Sequence, residues 1–423
     1  MLELSYIREN TAEVAERLAI KNIDATASLQ QIIDLDAKRR EAQKLLDDNL
    51  AESNNIAREV GNLMKAGKAS DASELKLRVA DLKAQAKELA ENLDNITSEQ
   101  TGLLVLLPNV PHASVPRGKT PEDNLIVNSE GVIPALPANA VPHWDLASKY
   151  DIIDFELGNK VTGAGFPFYK GKGARLQRAL INFFLDNAIE AGYREIQPPL
   201  VVNEASGYGT GQLPDKDGQM YFCQIDKLYL IPTAEVPVTN IYRDEIVKAS
   251  AFPIRNVAYS NCFRREAGSY GKDVRGLNRL HQFDKVEIVN IQHPDHSYET
   301  LDEMVAYVST LLRKLELPFR VLKLCGGDMS FTSALTYDFE VYSAAQQKWL
   351  EVSSVSNFES FQANRMKLRF KDENGKTRLC HTLNGSALAL PRIVAALLEN
   401  NQTDEGISIP AALAKYTGFD LIN

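Results

Sequence analysis

The first hundred residues carry an apolar repeat that leaves few choices of fold. Within residues 75–96, apolar side chains recur at alternating spacings of four and three residues. This period of 3.5 residues is the signature of helices that pack along one seam as a coiled coil. A weaker seam runs through residues 32–63, where the polar side chains of Arg39, Asn49 and Ser53 interrupt it.

The two seams are separated by a stretch that favours a turn. Residues 67–71 read Gly-Lys-Ala-Ser-Asp, and no proline occurs before Pro108. The pattern therefore predicts two long helices folded into an antiparallel hairpin, with a shorter helix over residues 4–18 before it. At about 1.5 Å per residue, each helix would be roughly 45–50 Å long, which is too long and thin for a globular domain.

Prolines mark the end of this helical region. Pro108 is followed by six further prolines up to Pro142, and a residue of this type breaks a helix. We therefore predict a helical arm domain over residues 1–107, a linker over residues 108–143 and a second domain over residues 144–423.

The second domain mixes helical and alternating patterns. Helical periodicity predicts three longer helices, at residues 173–191, 298–315 and 386–399. Period-two alternation predicts strands at residues 193–197, 227–230, 258–265, 277–291, 338–342 and 348–354. Because short polar loops join some of these strands, we expect antiparallel hairpins and an α+β domain, an antiparallel sheet flanked by helices.

Composition excludes several classes of protein. The 423 residues carry 47 basic and 56 acidic side chains, a net charge of −9, which argues against a nucleic-acid coat protein. The four cysteines include no C-x-x-C pair, so we expect neither a disulfide scaffold nor a structural zinc site. With no signal-like start and no run near the ~20 apolar residues of a membrane helix, the sequence favours a cytoplasmic location without membrane partners.

The segment around Arg264 is the most informative for chemistry. Arg264 and Glu266 would share one face of a strand, and Phe283 and Glu287 would share a face of the next. If those faces coincide, a guanidinium for phosphate, a ring for a purine and two carboxylates meet in one pocket. The loop at residues 267–276, which holds three glycines, a lysine and an arginine, could close over an anion. A surface hairpin rich in ion pairs explains the spacing equally well.

Three shorter segments carry further ligand-like residues. In residues 384–392, small side chains precede Arg392, which would lie in the first turns of the predicted helix, where the helix dipole favours anions. Glu351 and Ser354 offer hard oxygen atoms suited to Mg²⁺. Residues 233–235 read Thr-Ala-Glu after an apolar run. Each segment alone has a structural explanation: a packed core helix, a strand and a turn.

Together these segments resemble the class II aminoacyl-tRNA synthetases, specifically the bacterial-type seryl-tRNA synthetases. The motif 2 pattern of that family, Phe-Arg-x-Glu followed by Arg-x-x-x-Phe, is similar to residues 263–266 and 279–283. Other stretches that resemble the seryl branch are residues 55–61, 231–237, 351–354 and 384–389. The likeness runs almost end to end, and residues 173–199 resemble motif 1, which implies a homodimer interface.

The resemblance implies a role for each matched residue. Arg264 would hold the ATP α-phosphate and the serine carboxylate, Phe283 would stack on adenine, and Arg392 would contact the γ-phosphate end or cover the adenine. The two arginines would be the catalytic residues. The other implied ATP-binding residues are Arg265, Glu266, Glu351, Val352, Ser353 and Ser354. The implied serine-binding residues are Thr233, Ala234, Glu235, Arg264, Glu287 and Ser386.

The resemblance also implies a metal and partners. Mg²⁺ would be held by Glu351 and Ser354 while it bridges the phosphates of ATP. The arm would bind tRNA(Ser), with tRNA(Sec) left open as a second acceptor. The arm residues implied are Lys38, Arg39, Arg40 and Lys44. Because residues 26–98 hold 11 basic and 13 acidic side chains, a net charge of −2, charge alone leaves a coiled coil for a protein partner as an alternative.

Three positions depart from the family pattern. Val355 and Phe358 stand where the family often has cysteine, which we expect to affect packing only, and Gly165 stands where an arginine is usual. Two other functions stay open at this stage. One is amino-acid activation for a carrier protein, whose enzymes lack the long hairpin. The other is a non-enzymatic binding module, which would be expected to lose residues such as Arg264 and Arg392.

Overall fold

The computed structural model describes residues 1–266 and 275–423. The chain divides into two compact units. The first comprises Met1–Ala19 and Ile23–Pro108, and the second comprises Ile20–Asn22 and Asn109–Asn423. The Gly-rich loop predicted at residues 267–276 lies outside the described residues, except for its last two positions.

The first unit is a helical hairpin with a short lead-in. Its helices are α1 (Leu4–Glu9), α2 (Thr11–Leu18), α3 (Thr26–Lys65) and α4 (Asp71–Leu106). The predicted single helix over residues 4–18 is wrong in one respect, because Asn10 has non-helical angles (φ −131°, ψ 33°) and separates α1 from α2. The predicted turn after residue 66 is confirmed, and α3 and α4 each continue without a break.

Contacts across the hairpin confirm both the antiparallel direction and the seam. Gln100 near the end of α4 donates to the Ile32 carbonyl oxygen near the start of α3 at 3.2 Å. Farther along, Asn49 donates to Gln85 at 3.3 Å, so this polar residue of the seam is buried with a partner. The hydrogen bond offsets part of the cost of burying Asn49 in the seam of the coiled coil.

The second unit is built on an eight-stranded sheet. Its strands, with those of four smaller sheets, are β1 (Leu125–Glu130), β2 (Ile153–Asp154), β3 (Phe168–Tyr169), β4 (Arg194–Glu195), β5 (Val201–Val202), β6 (Phe222–Cys223), β7 (Leu228–Leu230), β8 (Ile246–Lys248), β9 (Ile254–Phe263), β10 (Gln282–Gln292), β11 (Phe319–Lys323), β12 (Leu335–Ser343), β13 (Lys348–Asn357), β14 (Arg369–Lys371), β15 (Thr377–Leu379), β16 (His381–Ala389), β17 (Ile407–Ser408) and β18 (Leu421–Ile422). The large sheet has the order β1-β11-β12-β13-β16-β10-β9-β4. Its neighbours pair antiparallel, except β4 and β9, which confirms the α+β prediction.

Helices pack against this sheet. The helices of the unit are α5 (His143–Lys149), α6 (Phe155–Val161), α7 (Gly171–Glu190), α8 (Glu204–Thr210), α9 (Glu235–Thr239), α10 (Ser297–Lys314), α11 (Phe361–Met366), α12 (Leu390–Asn400) and α13 (Ala411–Thr417). Phe184 of α7, Met304 of α10 and Ile393 of α12 are fully buried in the same core cluster as Val286 and Ile288 of β10. None of the helices in the described residues is long and apolar enough to cross a membrane.

The predicted helix over residues 386–399 is wrong in its first four residues. Residues up to Ala389 form β16, which pairs with β10 on one side and β13 on the other. Gly385 lies so close to β13 that a Cβ atom there would be 2.9 Å from a Val355 methyl group. The helix starts only at Leu390, where Pro391 in the first turn supplies a helix-compatible φ. Pairing on both edges overrides the helical pattern of these small residues.

Residues 109–143 lie within the second unit. The stretch predicted as a linker contains β1, which pairs antiparallel with β11 at the edge of the large sheet. Asn109 donates to the carbonyl oxygens of Thr332 at 2.9 Å and Phe358 at 2.8 Å. The prolines of this stretch therefore exclude long α-helices, and the chain forms only a short 3₁₀ helix at Pro121–Asp123 before α5 while it packs against the sheet.

The seam predicts that two leucines of α4 contribute differently to the stability of the hairpin. Leu82 is 1% exposed and Leu77 is 70% exposed. Leu82→Ala should destabilise the hairpin by about 3 kcal/mol because it leaves a cavity, whereas Leu77→Ala should change it by less than about 0.5 kcal/mol. Amide hydrogen exchange of α3 and α4 in the full chain measures both. Equal effects of the two substitutions would contradict the seam.

Candidate active site

Strand β10 separates a core face from a polar face. Val286 and Ile288 point into the core beneath the helices. Since side chains alternate along a strand, Phe283, Lys285 and Glu287 lie on the opposite face. This polar face is where the structure brings together the residues that sequence analysis assigned to a serine pocket.

A buried carboxylate lies at the centre of this face. Glu287 is 2% exposed and lies directly opposite Ser386 in the β10–β16 pairing. Thr233 Oγ1 donates to Glu287 Oε2 at 3.3 Å. Lys285 Nζ lies 2.5 Å from the same carboxylate, and its side chain is also buried. The result is a buried cluster of one ammonium, one carboxylate and two hydroxyl groups, which suits a small zwitterionic ligand that also carries a hydroxyl.

A second carboxylate is buried nearby. Glu235, the first residue of α9, accepts from Gln362 Nε2 at 2.7 Å. Burial and the neighbouring Glu287 carboxylate together raise the pKa of Glu235 to about 7, against the lowering effects of Gln362 and Lys285. Glu235 is therefore a group that a ligand's ammonium would convert to its charged form.

Arg264 and Phe283 face each other across the β9–β10 hairpin. The Arg264 guanidinium carbon lies 5.3 Å from the centre of the Phe283 ring, a cation–π contact. Arg264 Nε also donates to the Pro232 carbonyl oxygen at 3.3 Å, next to Thr233. The sequence prediction that a guanidinium and an aromatic ring meet at this point is consistent with these contacts.

The predicted strand over residues 258–265 begins four residues too late and runs two residues past the end of β9. Strand β9 ends at Phe263, and Glu266 has φ +49°, so the strand rule that places Arg264 and Glu266 on one face does not apply. The Glu266 carboxylate instead forms an ion pair with Arg279. Arg265 is exposed, and its backbone N–H donates to the Gln219 carbonyl oxygen at 2.8 Å.

A β-bulge brings Glu351 and Ser354 to one face of β13. These residues are three apart, and a regular strand would point them to opposite faces. The β12–β13 register shifts by one residue at this point, and Val352 and Val355, also three apart, both enter the core. The shift therefore places Glu351 and Ser354 together on the polar side.

Arg392 connects β13 to the segment before Arg279. It is the third residue of α12, and its Nη1 donates to the Glu351 carbonyl oxygen at 2.6 Å and lies 3.6 Å from the Glu351 carboxylate. Its Nε donates to the Asn278 carbonyl oxygen at 3.2 Å. The guanidinium therefore lies between two segments that carry predicted ATP-binding residues.

Comparison with known proteins identifies the family. Residues 1–111 match the seryl-tRNA synthetase N-terminal domain, and residues 221–401 match the class II tRNA synthetase core domain for G, H, P, S and T. A serine–tRNA ligase of Salinibacter ruber is 51% identical over 99% of this chain and 98% of its own length. The chain belongs to the seryl-tRNA synthetase family. The serine–tRNA ligase of Chlorobium luteolum is 46% identical over 100% of this chain and 99% of its own length.

A solved structure extends the likeness to the whole fold. The seryl-tRNA synthetase of Pyrococcus horikoshii, solved in complex with ATP, superposes with a TM-score of 0.91 at 33% identity, covering 100% of this chain and 99% of that one. The arm followed by an antiparallel sheet with helices is thus the architecture of the seryl-tRNA synthetase family.

The edge between β12 and β13 has the oxygen atoms that Mg²⁺ prefers. Asp338 lies opposite Ser354, and its Oδ1 is buried without a hydrogen-bond partner. Burial and the Glu351 carboxylate raise the pKa of Asp338 well above its usual range. Uncompensated oxygens of this kind fit a hard cation. Since no group of three His, Cys, Asp or Glu residues with metal-binding geometry occurs in residues 1–266 and 275–423, such a cation would need phosphate and water ligands as well.

Three residues of the site escaped sequence analysis as candidates. Lys285 could have been found from its period-two spacing between Phe283 and Glu287. Arg279 stands in the quoted motif but received no role. Asp338 carries no sequence signal, because only the register between β12 and β13 puts it beside Ser354.

Three other predicted residues pack next to the site instead of facing it. Ala234 is buried with Val238 and Val289 in a small apolar cluster, and Ser353 Oγ donates to the Ser386 carbonyl oxygen at 2.5 Å. Val352 is buried in the main core.

The three family departures have local explanations. Val355 and Phe358 are both buried, so they act in packing. Gly165 has φ +83°, and a Cβ there would lie 2.4 Å from the His281 ring, so no side chain fits.

The predicted arm residues lie on α3. Lys38, Arg40 and Lys44 are exposed, whereas Arg39 is half-buried. Arg39 Nη2 lies 3.0 Å and Arg40 Nε 3.1 Å from the carboxylate of Asp36, which is buried. This carboxylate orients both guanidinium groups.

The raised pKa of Glu235 makes stability depend on pH. Between its ordinary pKa of 4.5 and its folded value of about 7, the folded protein holds a proton that unfolding releases. Rising pH therefore favours unfolding, and the wild type should lose up to about 3 kcal/mol relative to Glu235→Gln between pH 4.5 and 7. Urea unfolding of both proteins from pH 4.5 to 8 measures this difference. A wild-type stability that stays constant or increases with pH relative to Glu235→Gln would contradict this prediction.

Proposed function

We propose that this chain activates L-serine with ATP and transfers it to tRNA(Ser), with tRNA(Sec) as a second candidate acceptor. The buried Glu287 opposite Ser386, paired with Lys285 and bonded by Thr233, is the observation that carries this proposal. It offers partners for the hydroxyl group and for both charges of serine.

The reaction has two steps. The serine carboxylate attacks the α-phosphorus of ATP in line, which forms seryl-adenylate and releases pyrophosphate. A terminal ribose hydroxyl of the tRNA then attacks the adenylate carbonyl carbon, and AMP leaves. Neither step needs a protein nucleophile, so positioning and charge neutralisation supply most of the rate.

The chain's own residues divide these tasks. Arg264 would hold the α-phosphate and the serine carboxylate, because its guanidinium lies between Phe283 and the Pro232 carbonyl next to the serine pocket. Phe283 offers a face for adenine. Arg392 and the Glu266–Arg279 pair supply guanidinium groups for the outer phosphates and a carboxylate for the adenine amine.

Mg²⁺ would lie at Glu351 and Ser354, with Asp338 behind them. When bound, it neutralises the charge that develops on pyrophosphate as the bond breaks. Arg392 donates to the Glu351 carbonyl oxygen, and this hydrogen bond would hold the Glu351 carboxylate in position for the metal.

Selectivity for serine follows from the buried polar groups. Alanine lacks the hydroxyl group and would leave Glu287 and its neighbours without a partner, and sites of this kind reject such analogues by about 10⁴-fold or more. Threonine adds a methyl group and must be excluded by fit.

We propose that the arm is the tRNA-binding element, through Lys38, Arg39, Arg40 and Lys44. The Asp36 carboxylate that orients Arg39 and Arg40 supports a prearranged phosphate contact. We also propose a cytoplasmic homodimer, with residues 173–199 at the interface. The exposed Ile189 at the end of α7 supports this assignment.

Amino-acid-dependent exchange of pyrophosphate into ATP, without tRNA, tests the activation step. Serine should support exchange, while threonine, alanine and glycine should support far less. Arg264→Ala should abolish exchange, because the α-phosphate loses its positioning group. Exchange that prefers another amino acid, or an active Arg264→Ala enzyme, would overturn the assignment.

Removal of residues 28–98 separates activation from charging. The shortened chain should keep serine-dependent exchange, because the predicted ATP-binding and serine-binding residues all belong to the second unit. Charging of tRNA(Ser) should fall below detection. Retained exchange serves as the control for folding, and full charging by the shortened chain would refute the role of the arm.

A further inference from the structure

A histidine–glutamate pair is buried beside the ATP-side residues. His143, which begins α5, and Glu399, near the end of α12, are both 0% exposed. Glu399 Oε1 accepts from the His143 backbone N–H at 2.9 Å and lies 2.7 Å from His143 Nδ1. Gln346 Nε2 donates to the same oxygen at 2.8 Å, and Ser343 Oγ donates to Glu399 Oε2. A charged carboxylate is thus fully enclosed by donors.

The hydrogen bond at His143 Nε2 determines which ring nitrogen carries the proton. The Leu277 backbone N–H donates to His143 Nε2 at 2.8 Å. Because an amide can only donate, Nε2 must keep its lone pair, and the ring proton lies on Nδ1 toward Glu399. Burial alone would raise the pKa of Glu399, but the hydrogen bonds from His143 and Ser343 outweigh it and lower the pKa. The pair is therefore a neutral imidazole between an ionised carboxylate and a backbone amide.

The chain at residues 276–277 fits closely against this ring. Gly276 has φ +66°, and a Cβ atom there would lie 2.2 Å from His143 Nε2. No side chain fits in that space, and the left-handed backbone also favours glycine. The ring and the glycine together fix the backbone just before Arg279.

From this point, hydrogen bonds continue to Arg392. Asn278 Nδ2 donates to Gln346 Oε1 at 3.0 Å, and Gln346 also donates to Glu399. The Asn278 carbonyl oxygen accepts from Arg392 Nε at 3.2 Å. One continuous path therefore joins the buried pair to the guanidinium proposed to bind ATP.

We propose that His143 and Glu399 are positioning residues for ATP: they hold residues 276–278 in place and, through Asn278, orient Arg392. This inference rests on the proposed function. Neither residue touches substrate; both act through the backbone of Leu277 and the side chain of Gln346.

His143→Leu should separate the kinetics of the two substrates. In serine-dependent pyrophosphate exchange, KM for ATP should rise by roughly tenfold or more, since a small displacement of a positioned group is costly, while KM for serine stays within about twofold. The serine pocket around Glu287 and Thr233 has none of these hydrogen bonds, so it should bind serine as before. His143→Gln keeps an acceptor for the Leu277 amide and should show a smaller rise.

A second variant covers the case in which His143→Leu fails to fold. Gln346 is half-buried, and Gln346→Leu cuts the bond to Asn278 while it leaves the His143–Glu399 contact in place. It should raise KM for ATP in the same direction. The matched control is His381→Gln, which removes a histidine bonded to Ser297 at 2.8 Å at the start of β16. It should leave KM for ATP unchanged at a comparable loss in thermal midpoint.

The outcomes separate this inference from the proposed function. A wild-type chain without serine-dependent exchange would overturn both. An active wild type whose His143→Leu and Gln346→Leu variants keep a normal KM for ATP would overturn the inference alone. Equal changes in both KM values, or the same change in His381→Gln, would also overturn it, since they would indicate general destabilisation. A rise in KM for ATP, without a rise in KM for serine, in both His143→Leu and Gln346→Leu supports the inference.

Discussion

The pairing of β10 on both edges is the constraint on which the second unit depends. With β9 on one side and β16 on the other, its backbone hydrogen bonds are satisfied, and its side chains must alternate between two environments. Val286 and Ile288 enter the core under the helices, while Lys285 and Glu287 enter the polar pocket. A shift of one residue would exchange these faces and bury the charges in the apolar core. The hydrophobic core therefore also determines the position of the proposed active site.

The site concentrates buried charge that would be costly elsewhere. Glu287 has Lys285 as its partner, whereas Glu235 and Asp338 have raised pKa values because burial and neighbouring carboxylates disfavour their ionised forms. Groups of this kind are stabilised by a ligand's ammonium or a metal ion, so the site is better suited to the bound state than to the empty one. Glu399 differs, since His143 and its other donors compensate it within the protein, in keeping with a positioning role.

Sequence reasoning succeeded where the signal is local or where several segments match one family. The 3.5-residue period predicted the arm because each helix of the hairpin repeats its own seam. The pattern failed at residues 386–389, where small residues look helical and two neighbouring strands impose β structure. It also placed Arg264 and Glu266 on one strand face, although β9 ends before them. In both places, contacts with distant residues outweigh local preference.

The amino-acid sequence by itself determined the helical arm, the α+β class and the family, because periodicity and motifs are local patterns that neighbouring residues carry. Only the tertiary structure decided how those residues meet. The bulge that joins Glu351 to Ser354, the pairing that sets Asp338 beside Ser354 and the path from His143 to Arg392 each depend on register or on hydrogen bonds between segments far apart in sequence. Such contacts leave no local pattern, since they are formed only when the sheet and helices pack together.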